Sequence, residues 1–396
     1  MRLAARSAVA SPAGRRDAVL TVNHIGLFLA DLHGGGAERM MVNLASGLAT
    51  RGHRVDLVLA DANGPYLADL DREVRLIDLG TKRVSRSVPG LVRYLRTERP
   101  RCLVSTLNHA NVGAAIAHMI ARVDCKHFIR EANTPSTIRH RTVKDRAVMW
   151  ATRFAYRYAD GVLAVSDGVA QDLRESFGLD GAKVTPLVNP VVTPDLLRMA
   201  AENVEHPWFQ TGRPPVVLGV GRLHHQKDFA SLLRAFAIVR QSRVARLVIL
   251  GEGPERPSLT RLASELGVAD DVDLPGFVTN PFAFMSRAAV FALSSVREGL
   301  PGALIQAMAT GCPVVATDCR SGPSEVLEGG RHGPLVPVGR PDALAVAIAS
   351  TLDDPPDRQA TRNAVRRYDS AVAIAAYEAF FDRAAAPRTA PRRGTA

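Results

Sequence analysis

The chain is poor in cysteine. It has four, Cys102, Cys125, Cys312 and Cys319, and no two form a C-x-x-C pair. That argues against a disulfide scaffold and a cysteine zinc site. Cys102, Cys125 and Cys312 fall at or within apolar runs and read as small core residues. Aromatic residues are few, with thirteen Phe, six Tyr and two Trp, and no RNA-binding signature accompanies them, which argues against a nucleic-acid binder. No stretch reaches about 18 uncharged apolar residues, so no membrane-spanning helix is expected. Residues 1–18 hold four arginines and no apolar core, unlike a secretory leader. A soluble, cytoplasmic protein in a reducing compartment is expected.

What is present describes a globular chain of two domains or more. Of 396 residues, 46% are hydrophobic and 22% charged, enough for two cores. Formal net charge is +11, unevenly spread: residues 1–190 carry 27 Lys and Arg against 18 Asp and Glu, and the rest carry 23 against 21. A basic first half suits an anionic partner: nucleic acid, a phosphorylated substrate or a membrane surface. The ordinary alternative is solubility alone.

Apolar runs alternate with helical periodicity along the chain. Val19–Ala30 reads as a strand and runs into HGGGAER, His33 to Arg39. A helix is expected from about Ala37, then a strand at Arg54–Ala60. Three glycines before a helix N-terminus let backbone approach a ligand closely. The dinucleotide fingerprint and the Walker loop are both absent. Strands are expected at 74–79, 102–106, 127–130 and 162–165, with helices at 88–98, 110–121, 142–158 and 168–177. That pattern is a doubly wound α/β domain. Six prolines in residues 186–215 interrupt it. A second α/β domain starts at Val216, with strands at 216–221, 246–251, 272–274, 288–293 and 313–316. Boundaries are placed at 19–205 and 206–368, with a last helix at 369–385. Disordered ends are expected at 1–18 and 386–396.

The stretch Glu298–Asp318, EGLPGALIQAMATGCPVVATD, organises the second half. Pro301 suits a first helical position, and Gly311 a left-handed C-cap. Leu300 cannot cap the helix, which leaves its first N–H groups for an anion. Glu298 stands just outside as an acceptor, and Gln306 follows about two turns along. The ordinary reading of the same stretch is a βαβ unit with a surface glutamate.

Together these residues resemble the family-4 retaining glycosyltransferases. GGGAER, GRLHHQKDF from Gly221, GEGPERPSL from Gly251, PGFVTNP from Pro275 and EGLPGALIQAMATGCPVVATD follow one another in the family's order, each at a strand's end. The resemblance runs from about Val19 to about Phe381. It implies a GT-B fold, two Rossmann-like domains facing across a cleft, with the last helix returning to the first domain. It implies acceptor binding in the first domain and a nucleotide sugar, first of all a UDP-sugar, in the second. It also implies transfer with retention, with no metal and no cofactor.

The resemblance assigns roles residue by residue. Arg222 and Lys227 match the family's diphosphate contacts, in a reaction whose leaving group gathers negative charge. Gly35 and Gly36 would add backbone donors, and Gly221, Gly253, Gly299 and Leu300 belong to the donor loops. Glu298 matches the first carboxylate of the Glu-x7-Glu motif and would accept sugar hydroxyls. At the second carboxylate this chain has Gln306, which can still accept through its carbonyl. Phe277 and Val278 would lie near the base, or else pack in the core. On the acceptor side stand His109, suited to proton handling, and Glu131; both could instead be structural. Two readings compete: a GT-B nucleotide-sugar epimerase, and a non-catalytic two-lobed sugar-binding protein. The acceptor is expected to be a glycan or a polyprenyl-diphosphate-linked sugar of surface polysaccharide assembly. Two basic stretches of the first domain should dock on an anionic inner membrane. One is Lys82–Arg101, which contains the 88–98 helix with apolar Leu91, Val92 and Leu95. The other surrounds Val148, Met149, Trp150 and Phe154.

Overall fold

Short Val-, Ile- and Leu-rich runs without alternation build two sheets covered on both faces. The computed structural model describes residues 23–33, 35–137 and 143–385. The expected disordered ends, 1–18 and 386–396, lie outside the described residues. The first sheet has β1 (His24–Leu29), β2 (Arg54–Leu59), β3 (Arg75–Asp78), β4 (Cys102–Thr106), β5 (Lys126–Glu131), β6 (Gly161–Ala164) and β7 (Val184–Pro186), in the order β3-β2-β1-β4-β5-β6-β7. The second has β8 (Val216–Val220), β9 (Arg246–Leu250), β10 (Val272–Gly276), β11 (Val290–Leu293), β12 (Val314–Thr317) and β13 (Leu335–Val336), in the order β10-β9-β8-β11-β12-β13. All pairings are parallel. The order reverses beside β1 and beside β8, and such switch points open a crevice at the carboxyl ends of the strands.

The helices of the first half are α1 (Gly36–Ala49), α2 (Val84–Glu98), α3 (Asn108–Ala121), α4 (Val143–Tyr158) and α5 (Asp167–Phe177). Those of the second are α6 (Pro194–Ala200), α7 (Phe229–Ser242), α8 (Arg256–Glu265), α9 (Pro281–Arg287), α10 (Gly302–Ala309), α11 (Pro323–Val326), α12 (Pro341–Asp353), α13 (Arg358–Ala364) and α14 (Ser370–Ala385). Strands β7 and β13 and helices α6, α9 and α11 were not expected; each is too short for its periodicity to stand out. Pro301 is the N-cap of α10 rather than its first helical residue, because its ψ of 85° is not helical. Gly311 does take the left-handed conformation, φ +80°.

Helix α6 packs on α9: Asn280 Nδ2 donates to the Met199 carbonyl at 2.9 Å, and Ser286 Oγ to that of Ala200 at 2.7 Å. Residues 194–200 thus sit with the second domain, and the chain crosses before residue 206. It crosses back near Asp369, and the two crossings are bonded to each other. Val191 N and Val192 N donate to the Tyr368 carbonyl at 3.2 and 3.1 Å, and Ser370 N to that of Val192 at 2.8 Å. Helix α14 then buries Ile374, Tyr377 and Phe381 beside Met41, Leu44 and Leu48 of α1. Gly47 admits it: a Cβ there would lie 2.7 Å from Ile374.

Helix α2 starts at Val84, a turn earlier than expected. Its Leu91, Val92 and Leu95 are buried in the first domain's core. They cannot meet a membrane, because the sheet already covers them. On α4 the expectation divides: Met149 is half-buried, while Val148, Trp150 and Phe154 stand in water.

The buried Asp56 on β2 ties the sheet's edge together. Arg75 donates to both its oxygens, at 2.8 and 2.7 Å, Tyr94 at 2.9 Å, and His24 pairs with it at 2.6 Å. Burial works against the charge. The hydrogen bonds from His24, Arg75 and Tyr94 outweigh it and hold the carboxyl well below the usual carboxylate range. A depressed folded pKa gives stability that is complete above the unfolded value, about 4, and is lost as the pH falls through the folded one. Asp56→Asn should cost about 3 kcal/mol in urea unfolding at pH 7, with a smaller loss on acidification than the parent shows. An unchanged unfolding midpoint at pH 7 would refute this.

Candidate active site

The carboxyl ends of the two sheets meet at the loop after β11. Its backbone carries the contact. Thr134, beyond β5, donates its hydroxyl to the Glu298 carbonyl at 2.7 Å; Ser321 of the second domain donates to the same oxygen at 2.9 Å. Ser166, the N-cap of α5, donates to the Gly299 carbonyl at 2.8 Å. A Cβ on Gly299 would lie 2.1 Å from the Ala132 carbonyl oxygen, and one on Gly168 2.5 Å from Ser321. Outside these, Arg320 reaches Asp172 and Glu175 at 3.1 and 3.3 Å.

The side chain of Glu298 points elsewhere in this network. It is buried, and its Oε1 accepts from Lys227 Nζ at 2.6 Å and from Ser295 Oγ at 2.7 Å. Among the described residues its Oε2 accepts no hydrogen bond. Lys227 arrives on the loop between β8 and α7. Its N–H donates to the His224 carbonyl at 2.8 Å, and Asp228 behind it caps α7 in a left-handed conformation. Ser294 Oγ holds the Lys227 carbonyl at 2.7 Å. Arg222, on the same loop, is exposed and makes no ion pair among the described residues. The Tyr66 phenol of the first domain, raised by burial, lies close enough to feel the charges of Arg39 and Arg222.

The glycines of the loops after β8 and β9 are required by the protein's own backbone. A Cβ on Gly251 would stand 2.0 Å from the Gly221 carbonyl oxygen, and one on Gly253 2.2 Å from that of Leu223. The loops after β8 and β9 are thereby clasped, with Leu223 N donating to the Glu252 carbonyl at 2.8 Å. Gly35 is the buried N-cap of α1, with the Glu38 carboxylate where its Cβ would be. Gly36 faces open space. Gly34 lies outside the described residues.

The remaining candidates fall in different settings. Gln306 is half-exposed on α10, and Leu300 is buried. Phe277 stands in water at the end of β10, 52% exposed, whereas Val278 packs on the core. His109 is exposed in the first turn of α3, following Leu107 in a positive-φ conformation. Glu131 is buried at the end of β5, where burial pushes its pKa up against the hydrogen bond from Tyr156. It also accepts from Asn133 N at 2.8 Å. Glu131 thus shapes the turn that presents Ala132 and Thr134 to the Glu298 loop.

Sequence reasoning missed Ser295, Thr134, Ser166 and Ser321. Ser295 lies three residues before Glu298, the one local signal available. The others come from distant parts of the chain. The chain also has two Asp-x-Asp triplets, Asp69–Asp71 and Asp271–Asp273. Asp69 pairs with Arg39, Asp271 with Arg240 and Arg246, and Asp273 with His206. Among the described residues no group of three His, Cys, Asp or Glu is placed to hold a metal ion.

Two parallel-sheet domains meeting at their strand ends make a GT-B fold. The family description "Glycosyl transferase 4-like domain" matches residues 35–190, and "Glycosyl transferases group 1" matches residues 214–354. The chain belongs to this family of group 1, family-4-type glycosyltransferases. It is 29% identical over 351 residues to the N-acetylgalactosamine-N,N'-diacetylbacillosaminyl-diphospho-undecaprenol 4-alpha-N-acetylgalactosaminyltransferase of Campylobacter jejuni, across 86% of this chain and 93% of that one. It is 26% identical over 355 residues to the lipopolysaccharide core biosynthesis glycosyltransferase LpsE of Rhizobium meliloti, across 88% and 94%. Its fold matches Anabaena Alr3699/HepE in complex with UDP and glucose, with a TM-score of 0.71 at 18% identity over 91% of this chain and 98% of that one.

The closeness at Gly299 is testable. Gly299→Val places a side chain against the Ala132 carbonyl, so the domains must separate there. Small-angle scattering should give a larger radius of gyration with unchanged far-ultraviolet circular dichroism. An unaltered radius would show that the two loops do not touch in solution.

Proposed function

We propose that the chain transfers a hexosyl or N-acetylhexosaminyl group from a UDP-sugar, with retention and without a metal, to a polyprenyl-diphosphate-linked saccharide of surface polysaccharide assembly. The observation that carries the reading is the Lys227–Glu298 pair, a partly buried cation and carboxylate 2.6 Å apart where the two domains meet. The name of the Campylobacter relative supports the polyprenyl-diphosphate-linked acceptor, and that of the Rhizobium relative supports surface polysaccharide assembly. In this reading Lys227 turns from Glu298 towards the diphosphate, and Arg222 joins it from the open side of the loop. Both stabilise the charge that grows on the leaving nucleoside diphosphate. Glu298, kept in place by Ser295, receives the hydroxyls of the transferred sugar. The N–H groups at Gly35 and Gly36 add donors from the facing domain. Gln306 accepts from the ribose, Phe277 covers the base, and His109 takes the proton of the acceptor hydroxyl.

A panel of UDP- and GDP-sugars tests this directly. Nucleotide release should require an added acceptor, whereas a sugar interconverted without one would mark an epimerase, and no turnover at all a binding protein. Arg222→Ala or Lys227→Ala should lower turnover about a hundredfold, with the fold retained; near-normal kcat in both would sink the leaving-group assignment. Gln306→Ala should weaken donor binding by about 0.5–1.5 kcal/mol, seen as a raised donor KM, while Gln306→Glu keeps activity. Unchanged donor affinity in Gln306→Ala would leave Gln306 as helix surface only.

A further inference from the structure

Among the described residues, seven of the fifteen large apolar side chains exposed to water lie on α3 and α4: Ile116, Met119 and Ile120 on α3, and Val148, Trp150, Phe154 and Tyr158 on α4. Trp150 is 72% exposed. The three aromatic residues repeat every four positions along one stripe of α4. Their rings are stacked, Trp150 on Phe154 and Phe154 on Tyr158, each with centroids 6.2 Å apart. The two helices lie side by side. His118 of α3 meets the Tyr158 ring with centroids 5.8 Å apart, and its Nδ1 is 3.3 Å from the Tyr158 hydroxyl. Seven exposed apolar side chains on two adjoining helices, three of them stacked in one aromatic stripe, exceed the single scattered ones of an ordinary surface.

Its rim is basic. Residues 84–158 contain fourteen Lys and Arg against four Asp and Glu; of these bases, Arg130 is buried in the core and Arg139 and Arg141 lie outside the described residues. Arg96 of α2 reaches across to the Ile120 carbonyl at 3.0 Å, Arg122 follows α3, and Arg146, Arg153 and Arg157 are exposed along α4. Few acids offset them: Asp160 is paired with Lys126, and Glu98 with Arg54 and Arg75.

We infer that the outer face of α3 and α4 is a docking surface for an anionic lipid bilayer, with Trp150, Phe154 and Tyr158 entering the headgroup region and the flanking arginines holding acidic headgroups. The inference deepens the lipid-linked acceptor of the reading above. A second copy of the chain would also cover apolar side chains, but two such rims would repel. An acidic lipid surface complements both the apolar centre and the charge. Placement agrees. Helices α3 and α4 follow β4 and β5, so each begins at the edge of the sheet that faces the second domain. The bilayer face therefore runs outward from the edge that holds His109 and the Ala132–Thr134 turn. A lipid-anchored diphosphate sugar lying in that bilayer would be presented at the mouth of the cleft.

The chain has two tryptophans, Trp150 and Trp208, so Trp208→Phe leaves Trp150 as the sole reporter. With vesicles of phosphatidylglycerol and phosphatidylcholine its emission should shift to the blue, and brominated lipid should quench it. Pure phosphatidylcholine should give no shift, and about 1 M salt should weaken the binding, because the screening length then falls to about 3 Å. In flotation, Trp150→Ser with Phe154→Ser should lower vesicle affinity about tenfold or more. Val346→Ser, at an exposed apolar site of α12, should leave it unchanged. Transfer to a short-chain, water-soluble prenyl-diphosphate acceptor should be equal in parent and double variant, which separates loss of docking from loss of the activity. No shift with acidic vesicles, or full binding by the double variant, overturns the inference. So does a shift that grows with protein concentration and needs no vesicles, which would mark a self-interface.

Discussion

A single carbonyl oxygen, that of Glu298, sets the geometry of the molecule. It takes one hydroxyl from each domain, Thr134 and Ser321, while the next residue has no side chain and lies against the Ala132 backbone. A carbonyl with two lone pairs can accept both bonds without losing either. The backbone of this loop is therefore committed to joining the domains, which frees its side chain for other work. The glutamate's position between the domains follows from that division between main chain and side chain.

Two carboxylates show how differently a buried charge can be settled. Asp56 is closed on all sides by Arg75, Tyr94 and His24, and it does structural work. Glu298 has one oxygen engaged, by a lysine on a loop and a serine on its own loop. An incompletely satisfied pair of this kind can exchange partners, because a competing anion needs to displace one contact rather than three. The lysine's flexible stem suits that exchange better than the rigid fork at Arg75.

Much of the fold was legible in the sequence, because buried parallel strands are short continuous apolar runs and the helices between them keep their periodicity. Cys102–Thr106 has the boundaries expected of it, and Ser370–Ala385 starts one residue after the expected 369. What the sequence concealed was short or distant. Helix α9 has seven residues, and α6 hides within a proline-rich segment whose partner lies about eighty residues on. Glycine in such loops suits the approach of a ligand, and the structure shows a second need, since Gly251 and Gly253 are pressed on the neighbouring loop. Leu91 and Leu95 misled as membrane residues because the periodicity of an amphipathic helix does not say which apolar layer it faces. Ser295 alone among the unexpected residues had a sequence clue. Thr134 and Ser166 meet Glu298 and Gly299 across more than a hundred residues, a distance no local pattern spans.

The return of α14 to the first domain has a consequence for biosynthesis. Ile374, Tyr377 and Phe381 fill the core between α1 and the first sheet, and Glu378 accepts from Arg51 at 2.8 Å. A ribosome delivers α1 more than three hundred residues before these. The second domain's sheet can therefore close before α14 has emerged, whereas the first domain, although it precedes the second in the chain, keeps part of its apolar face open until α14 has been made. The order of maturation is the reverse of the order of emergence, and a chaperone that shields nascent apolar surface would find its longest-lived target on the Met41–Leu48 face of α1.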